Sequence, residues 1–221
     1  TVERVHYGDT HLTAAGAKQA IINGINAGKF IVNYIGHGGT NLWAGEQIFR
    51  TSDIPFLTNS GKLHLMLLMT CDNGKYSSPN PSSNADSMAE VITKTADYGA
   101  VASWAPTGKG LASGHKYLEQ GFFNQIFEGS EGPLFLGQAT SAGKTELWGT
   151  GNNLDLLDTY LLFGDPALNL VPPILTAVQD VYKTNEDSLL DISAEEGVLS
   201  NDNNPQGIEI AAEIVDDTSF G

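Results

Sequence analysis

Phe30-Ile31-Val32-Asn33-Tyr34-Ile35-Gly36-His37-Gly38-Gly39 and Leu63-His64-Leu65-Met66-Leu67-Leu68-Met69-Thr70-Cys71-Asp72-Asn73-Gly74 share one plan. Each is an apolar run of strand length that stops at a reactive side chain with glycine close behind. Short apolar runs bounded by turn signals suit strands buried on both faces of a parallel sheet. In open α/β sheets, sites form in the crevice beyond the carboxyl ends of the strands. Two neighbouring strands ending this way place an imidazole, His37, and the only thiol, Cys71, on one rim. A cysteine nucleophile with a histidine base requires that arrangement.

The flanking sequence supplies the rest of an α/β unit. Residues 14–27 carry Ala17, Ala20, Ile21, Gly24 and Ile25 at helical spacing, and Gly28 is a stop signal. Residues 48–60 read as a short helix or turn. Met88, Val91 and Ile92 predict a helix over 87–96, and Gly99-Ala100-Val101-Ala102-Ser103-Trp104 a third buried strand. Strand, helix and strand in that order predict a mostly parallel sheet. Further helices are expected over 115–127 and 133–147, and a last apolar stretch over 156–162. His64 lies within a strand and is assigned no chemistry; His6 and His11 read as surface residues.

Composition narrows the function. The chain has 221 residues, 41% of them hydrophobic, enough for one good-sized domain and a small second one. No apolar run reaches membrane-spanning length, and Thr1 opens no signal-peptide pattern. Residues 172–221 hold 11 Asp and Glu against one Lys, which is −10 of the total −15. That shift, with Pro172-Pro173, marks a boundary between residues 1–171 and 172–221. It also argues against nucleic acid or anionic lipid as a partner, since both need basic patches. One cysteine excludes an internal disulfide and a Cys-rich zinc site. A lone cysteine in an acidic, Asn/Gly/Ser-rich chain is compatible with secretion.

Tyr34-Ile35-Gly36-His37-Gly38-Gly39, Trp43, Glu46, Thr70-Cys71-Asp72-Asn73-Gly74 and Phe163-Gly164-Asp165-Pro166 together resemble the gingipain-like cysteine peptidases, relatives of caspases and legumains. The resemblance spans about residues 15–170. It implies a caspase-like αβα sandwich, a His37–Cys71 dyad and peptide-bond hydrolysis, with no cofactor required. Gingipain catalytic domains have two similar halves with the dyad in the second. Only 36 residues precede His37, so the resemblance implies an N-terminal subdomain or cleaved companion chain. It also implies a secreted or bacterial cell-surface address. Residues 172–221 carry short alternating apolar runs, 177–182 and 189–192, broken by Asn/Asp/Gly clusters, and with Gly197-Val198-Leu199-Ser200-Asn201-Asp202 they look like the start of a cadherin-like or immunoglobulin-like surface repeat. β-strands are therefore expected in it, and Asp202, Asp216 and Asp217 are either calcium ligands or solvated acids.

The site residues carry distinct expectations. The Gly38 and Cys71 amides are candidate oxyanion donors, each worth about 2.7–4 kcal/mol in such sites; Gly38 alternatively marks a tight turn. Trp43 is a pocket wall or a packing residue, and Glu46 a solvated residue or one that fixes its loop. Asp165 reads as a turn-former. The resemblance implies that Ser103, Trp104 and Lys109 wall the substrate pocket. That wall has no carboxylate. An acid for a basic substrate residue must come from Asp72, Glu46, Asp53 or the companion half, whereas Lys109 would suit an acidic substrate residue. Two rival functions remain: a catalytically silent adhesion or scaffold protein, and a sortase-like transpeptidase.

Overall fold

The structure, a computed structural model, describes residues 2–77, 86–128, 134–170, 177–185, 189–193, 195–202 and 211–212. The chain divides into two compact units, Thr1–Val171 and Pro172–Gly221. The first runs α1 (Ala14–Asn26), β1 (Ile31–Ile35), β2 (Gly38–Gly39), β3 (Leu42–Trp43) and β4 (Phe49–Arg50), then a 3-10 turn (Thr51–Phe56) and β5 (His64–Met69). It continues with α2 (Met88–Lys94), β6 (Ala100–Pro106), α3 (Ala112–Phe127), β7 (Leu134–Phe135), α4 (Leu136–Gly149), α5 (Asp155–Thr159), β8 (Tyr160–Phe163) and β9 (Asn169–Leu170).

Four strands form the main sheet in the order β1-β5-β6-β8. β1 and β6 both pair parallel with β5, and β8 runs antiparallel to β6. β5 is buried along its whole length because successive side chains enter opposite cores. Met66 and Leu68 pack with Ala17 and Ile25 of α1 and with Met88 and Ile92 of α2. Leu65, Leu67 and Met69 pack with Leu118 and Phe122 of α3 and Leu136 and Leu147 of α4. Helices thus cover both faces of a mostly parallel sheet, the expected αβα sandwich.

Local signals set the helix starts. Thr13 Oγ1 accepts the Gly16 amide at the head of α1. Ser87 and Glu90 form a reciprocal capping box at α2. α4 starts at Leu136, later than the apolar pattern suggests, because the Gln138 side chain accepts the Phe135 amide there. β7 and β9, which pair antiparallel, and β2 to β4 have two residues each, too few to show a period in sequence.

Two expected pocket residues belong to the interior. Trp104 is fully buried, stacked on Phe122 at 5.5 Å and edge-on to Tyr160. Ser103 is also fully buried, with its hydroxyl 2.9 Å from that of Thr93 on α2. Neither reaches a surface cleft, so the expectation that they wall a pocket does not fit. His64 is fully buried in β5, and burial pushes its pKa down to about 4.

In the second unit the expected strands are absent from the described residues. Asp202 Oδ1 accepts the Val178 amide, and the Tyr182 hydroxyl donates to the Glu196 carbonyl. Val181 and Leu189 are 75% and 90% exposed. A strand needs partners that bury its apolar face, and these described residues supply none. Pro172, Pro173, Asp216 and Asp217 lie outside the described residues.

α3 and α4 touch backbone to backbone over Trp104. A Cβ on Gly143 would fall 2.4 Å from the Leu118 carbonyl oxygen and 2.6 Å from the Trp104 ring. Gly143→Ala is therefore expected to lower unfolding free energy by about 1–3 kcal/mol, the usual cost of overpacking. Urea titration measures it, and unchanged stability would mean the two helices part freely.

Candidate active site

The strand register sets the site. β1 and β5 pair from Ile31↔Leu65 to Ile35↔Met69, and the Gly36 amide extends the ladder to the Met69 carbonyl at 3.3 Å. His37 is two residues beyond Ile35, and Cys71 is two beyond Met69. The two turns therefore leave the sheet side by side. A Cβ on Gly38 would fall 3.2 Å from the Cys71 carbonyl oxygen and 2.3 Å from Thr70 Oγ1. Only glycine lets the turn after His37 lie directly on the turn that carries the thiol.

The His37 turn is held from behind. Its carbonyl accepts the Tyr34 hydroxyl at 2.6 Å and the Ala44 amide at 2.7 Å. Burial raises the Tyr34 pKa to about 12, with the Glu46 charge adding to the rise, so the hydroxyl remains a donor. The Tyr34 ring stacks on Trp43 at 4.3 Å, and Trp43 in turn meets Phe49. Trp43 is 2% exposed, so its packing reading fits and its pocket reading does not. Glu46 is exposed beside this loop.

The Cys71 turn is bracketed on both sides. Asn73, fully buried, donates through Nδ2 to the Gly39 carbonyl and to the Leu42 carbonyl at 3.2 Å. Its own carbonyl accepts the Ala89 amide while Thr40 accepts the Met88 amide, so the start of α2 ties both turns. On the opposite side, the Asp72 amide donates to Gly108 at 3.0 Å and the Gly74 amide to Pro106 at 2.8 Å. The Cys71 thiol donates to the Gly110 carbonyl at 3.6 Å.

Strain and unpaired polar atoms concentrate here. Ala44, Gln47 and Asp72 have φ of 58–59°, a left-handed conformation that is costly without glycine. Among the described residues, buried side-chain atoms without a partner are Trp43 Nε1, His64 Nε2, Thr70 Oγ1, Asn73 Oδ1 and His115 Nε2. Trp43, Thr70 and Asn73 belong to the strand ends and loops around His37 and Cys71, and His115 lies in the first turn of α3. Such groups are rare in native interiors and call for a functional or structural reason.

The other predicted residues are placed as follows. Asp53 pairs with Lys18 at 2.9 Å and accepts the Arg50 amide, so it is already engaged. Asp72 is half-buried and Lys109 exposed on the segment beside Cys71. Asp165 accepts the Ala167 amide, which makes it a turn-former. Asp202 belongs to the second unit. No group of three or more metal-ligating side chains occurs among the described residues. Sequence reasoning assigned no role to Tyr34, Asn73 or His115. The spacing of Tyr34 three residues before His37 and of Asn73 two after Cys71 was the available signal.

Asn73→Ala leaves two backbone carbonyls unpaired, at about 1–3 kcal/mol each. Amide hydrogen exchange over residues 37–44 is expected to rise in that variant. Unchanged exchange would show that the hairpin is held without Asn73.

Residues 1–171 match the family described as Peptidase family C25. Gingipain R2 of Porphyromonas gingivalis is 28% identical over 173 residues, covering 75% of this chain and 23% of that protein. Gingipain R1 of the same organism is 29% identical over 181 residues, covering 78% of this chain and 18% of that protein. The crystal structure of the Arg-specific cysteine proteinase gingipain R aligns with a TM-score of 0.63 and 25% identity, covering 74% of this chain and 40% of that one. A complex of Porphyromonas gingivalis RgpB pro- and mature domains aligns with a TM-score of 0.61 and 27% identity, covering 74% and 40%. The chain thus spans less than half the length of these relatives. Its mixed α/β architecture with a mostly parallel sheet is theirs, and the chain belongs to peptidase family C25.

Proposed function

We propose that this chain carries the catalytic dyad of a cysteine endopeptidase. The observation that carries the reading is the equal offset of His37 and Cys71 beyond the in-register pair Ile35↔Met69. His37 takes the thiol proton as the Cys71 sulfur attacks the scissile carbonyl carbon. The Gly38 and Cys71 amides hold the oxygen that gains charge. Collapse expels the amine, which leaves with the proton from His37, and a thioester remains. Water then attacks the thioester with His37 as base, releasing the acid and restoring the thiol.

Protein or peptide is the substrate class. The similar gingipain R is an Arg-specific cysteine proteinase, which supports a basic residue before the scissile bond here. Asp53 is engaged with Lys18, so the acid for that residue falls to Asp72, Glu46 or a companion segment. β1 supports the companion. It is the terminal strand of the sheet, and its last residue, Ile35, is 62% exposed. An N-terminal subdomain or cleaved companion chain pairing there would cover that edge. A secreted or cell-surface address completes the proposal, and its support is family membership. No helix among the described residues is long and apolar enough to cross a membrane.

Cys71→Ala is expected to abolish peptide hydrolysis, and His37→Ala to slow it by about 10²–10⁴-fold, with the fold retained. Both are read on a peptide library varied at the residue before the scissile bond, with the upstream segment present. Normal cleavage by Cys71→Ala would contradict the reading. Selection of Asp or Glu, lost in Lys109→Ala, would overturn the basic preference. Capture of an added amine as a new amide would mark transfer in place of hydrolysis.

A further inference from the structure

His115 is 5% exposed in the first turn of α3, where its amide bonds the Leu111 carbonyl. Its ring lies edge-on to Tyr160 at 5.5 Å, and the Tyr160 hydroxyl donates to the Leu68 carbonyl. Burial keeps the imidazole neutral by lowering its pKa, while a hydrogen bond to the Met69 carbonyl works the other way. Nε2 has no partner. A Cβ on Gly110 would fall 2.8 Å from that Nε2 and 2.5 Å from Leu156 Cδ2. Gly110 is the residue whose carbonyl accepts the Cys71 thiol. One buried imidazole therefore lies between two backbone segments that flank Cys71: it bonds the Met69 carbonyl at the end of β5, and it occupies the space beside Gly110 that a side chain there would need.

We propose that His115 is a positioning residue for the nucleophile, anchored on the Met69 carbonyl and braced against Gly110, and that it holds the Gly110 carbonyl on the Cys71 thiol. The assignment rests on the reading of Cys71 as the nucleophile. His115 acts through Gly110 and moves no proton. Its ring fills the space that any side chain at position 110 would need. Its bond to Met69 keeps the ring from swinging away. A thiol held on a neutral acceptor keeps its proton, and one released from it ionises and reacts more readily.

The test uses iodoacetamide on the whole chain near neutral pH. Cys71 is the only cysteine, so the mass shift reports that thiol alone, whether or not the protein hydrolyses peptides. His115→Phe keeps a ring but loses the anchor. It is expected to speed alkylation about two- to tenfold, the worth of one net hydrogen bond. His115→Asn and His115→Gln place an amide near Nδ1 and Nε2, and one of them should return the rate towards that of the unaltered chain. Gly110→Ala presses on the same contact from the other side and should speed alkylation too, which keeps the proposal testable if His115→Phe fails to fold. An unchanged or slower rate in the folded His115→Phe or Gly110→Ala chain would overturn it. So would equal acceleration in all three His115 variants, since that reports lost packing alone. Failure of peptide hydrolysis with these alkylation differences intact would count against the peptidase reading and leave the placement of His115 standing.

Discussion

The parallel register of β1 on β5 is the constraint on which the rest depends. Side chains alternate along a strand, so a slip of one residue would turn Val32 and Tyr34 away from the α1 and α2 core they pack against. The core therefore fixes the register, and the register fixes how far beyond the sheet His37 and Cys71 emerge. Nothing in the loops has to find this alignment. They have only to preserve it.

Their means of preserving it is backbone accounting. Turns that leave a buried sheet carry amides and carbonyls that need partners. Asn73 satisfies Gly39 and Leu42, Tyr34 satisfies His37, and the start of α2 satisfies Thr40 and Asn73. The segment after β6 contributes the carbonyls of Pro106, Gly108 and Gly110. The Cys71 turn is thereby clamped between two neighbours, and the left-handed Asp72 is tolerated because those bonds over-determine it. Preorganisation of this kind is what an oxyanion site needs, since its donors must already point where charge will develop.

Much of this was legible in the sequence. The run 64–69 is buried along its length because both faces are covered, whereas β1 leaves Asn33 and Ile35 exposed; the ends of these two runs announced Cys71 and His37. The same property hid which face each side chain takes. Ser103 and Trp104 read as pocket walls because they precede the loop beside the cysteine, yet they point into the α2 and α3 layers. Trp43 was ambiguous for a different reason. Its stacking partner, Tyr34, is nine residues away on another strand, and the contact exists only once β2 and β3 fold back. His115 stands at the polar start of a helix, where a histidine ordinarily faces solvent. Its burial follows from α3 packing over β5 and Tyr160, a long-range effect with no local signature. In the tail, alternating apolar residues suggested strands, but period alone cannot supply the partner strands that pairing needs.

The most direct test of the central claim is a crystal structure of the chain, together with the proposed companion segment, after reaction with a peptidyl chloromethyl ketone ending in arginine. The account predicts one thioether, on Cys71, with His37 facing the adduct. The ketone-derived oxygen should lie within hydrogen-bonding distance of the Gly38 and Cys71 amides. An adduct on another residue, or an oxygen turned away from both amides with His37 remote from the sulfur, would contradict it.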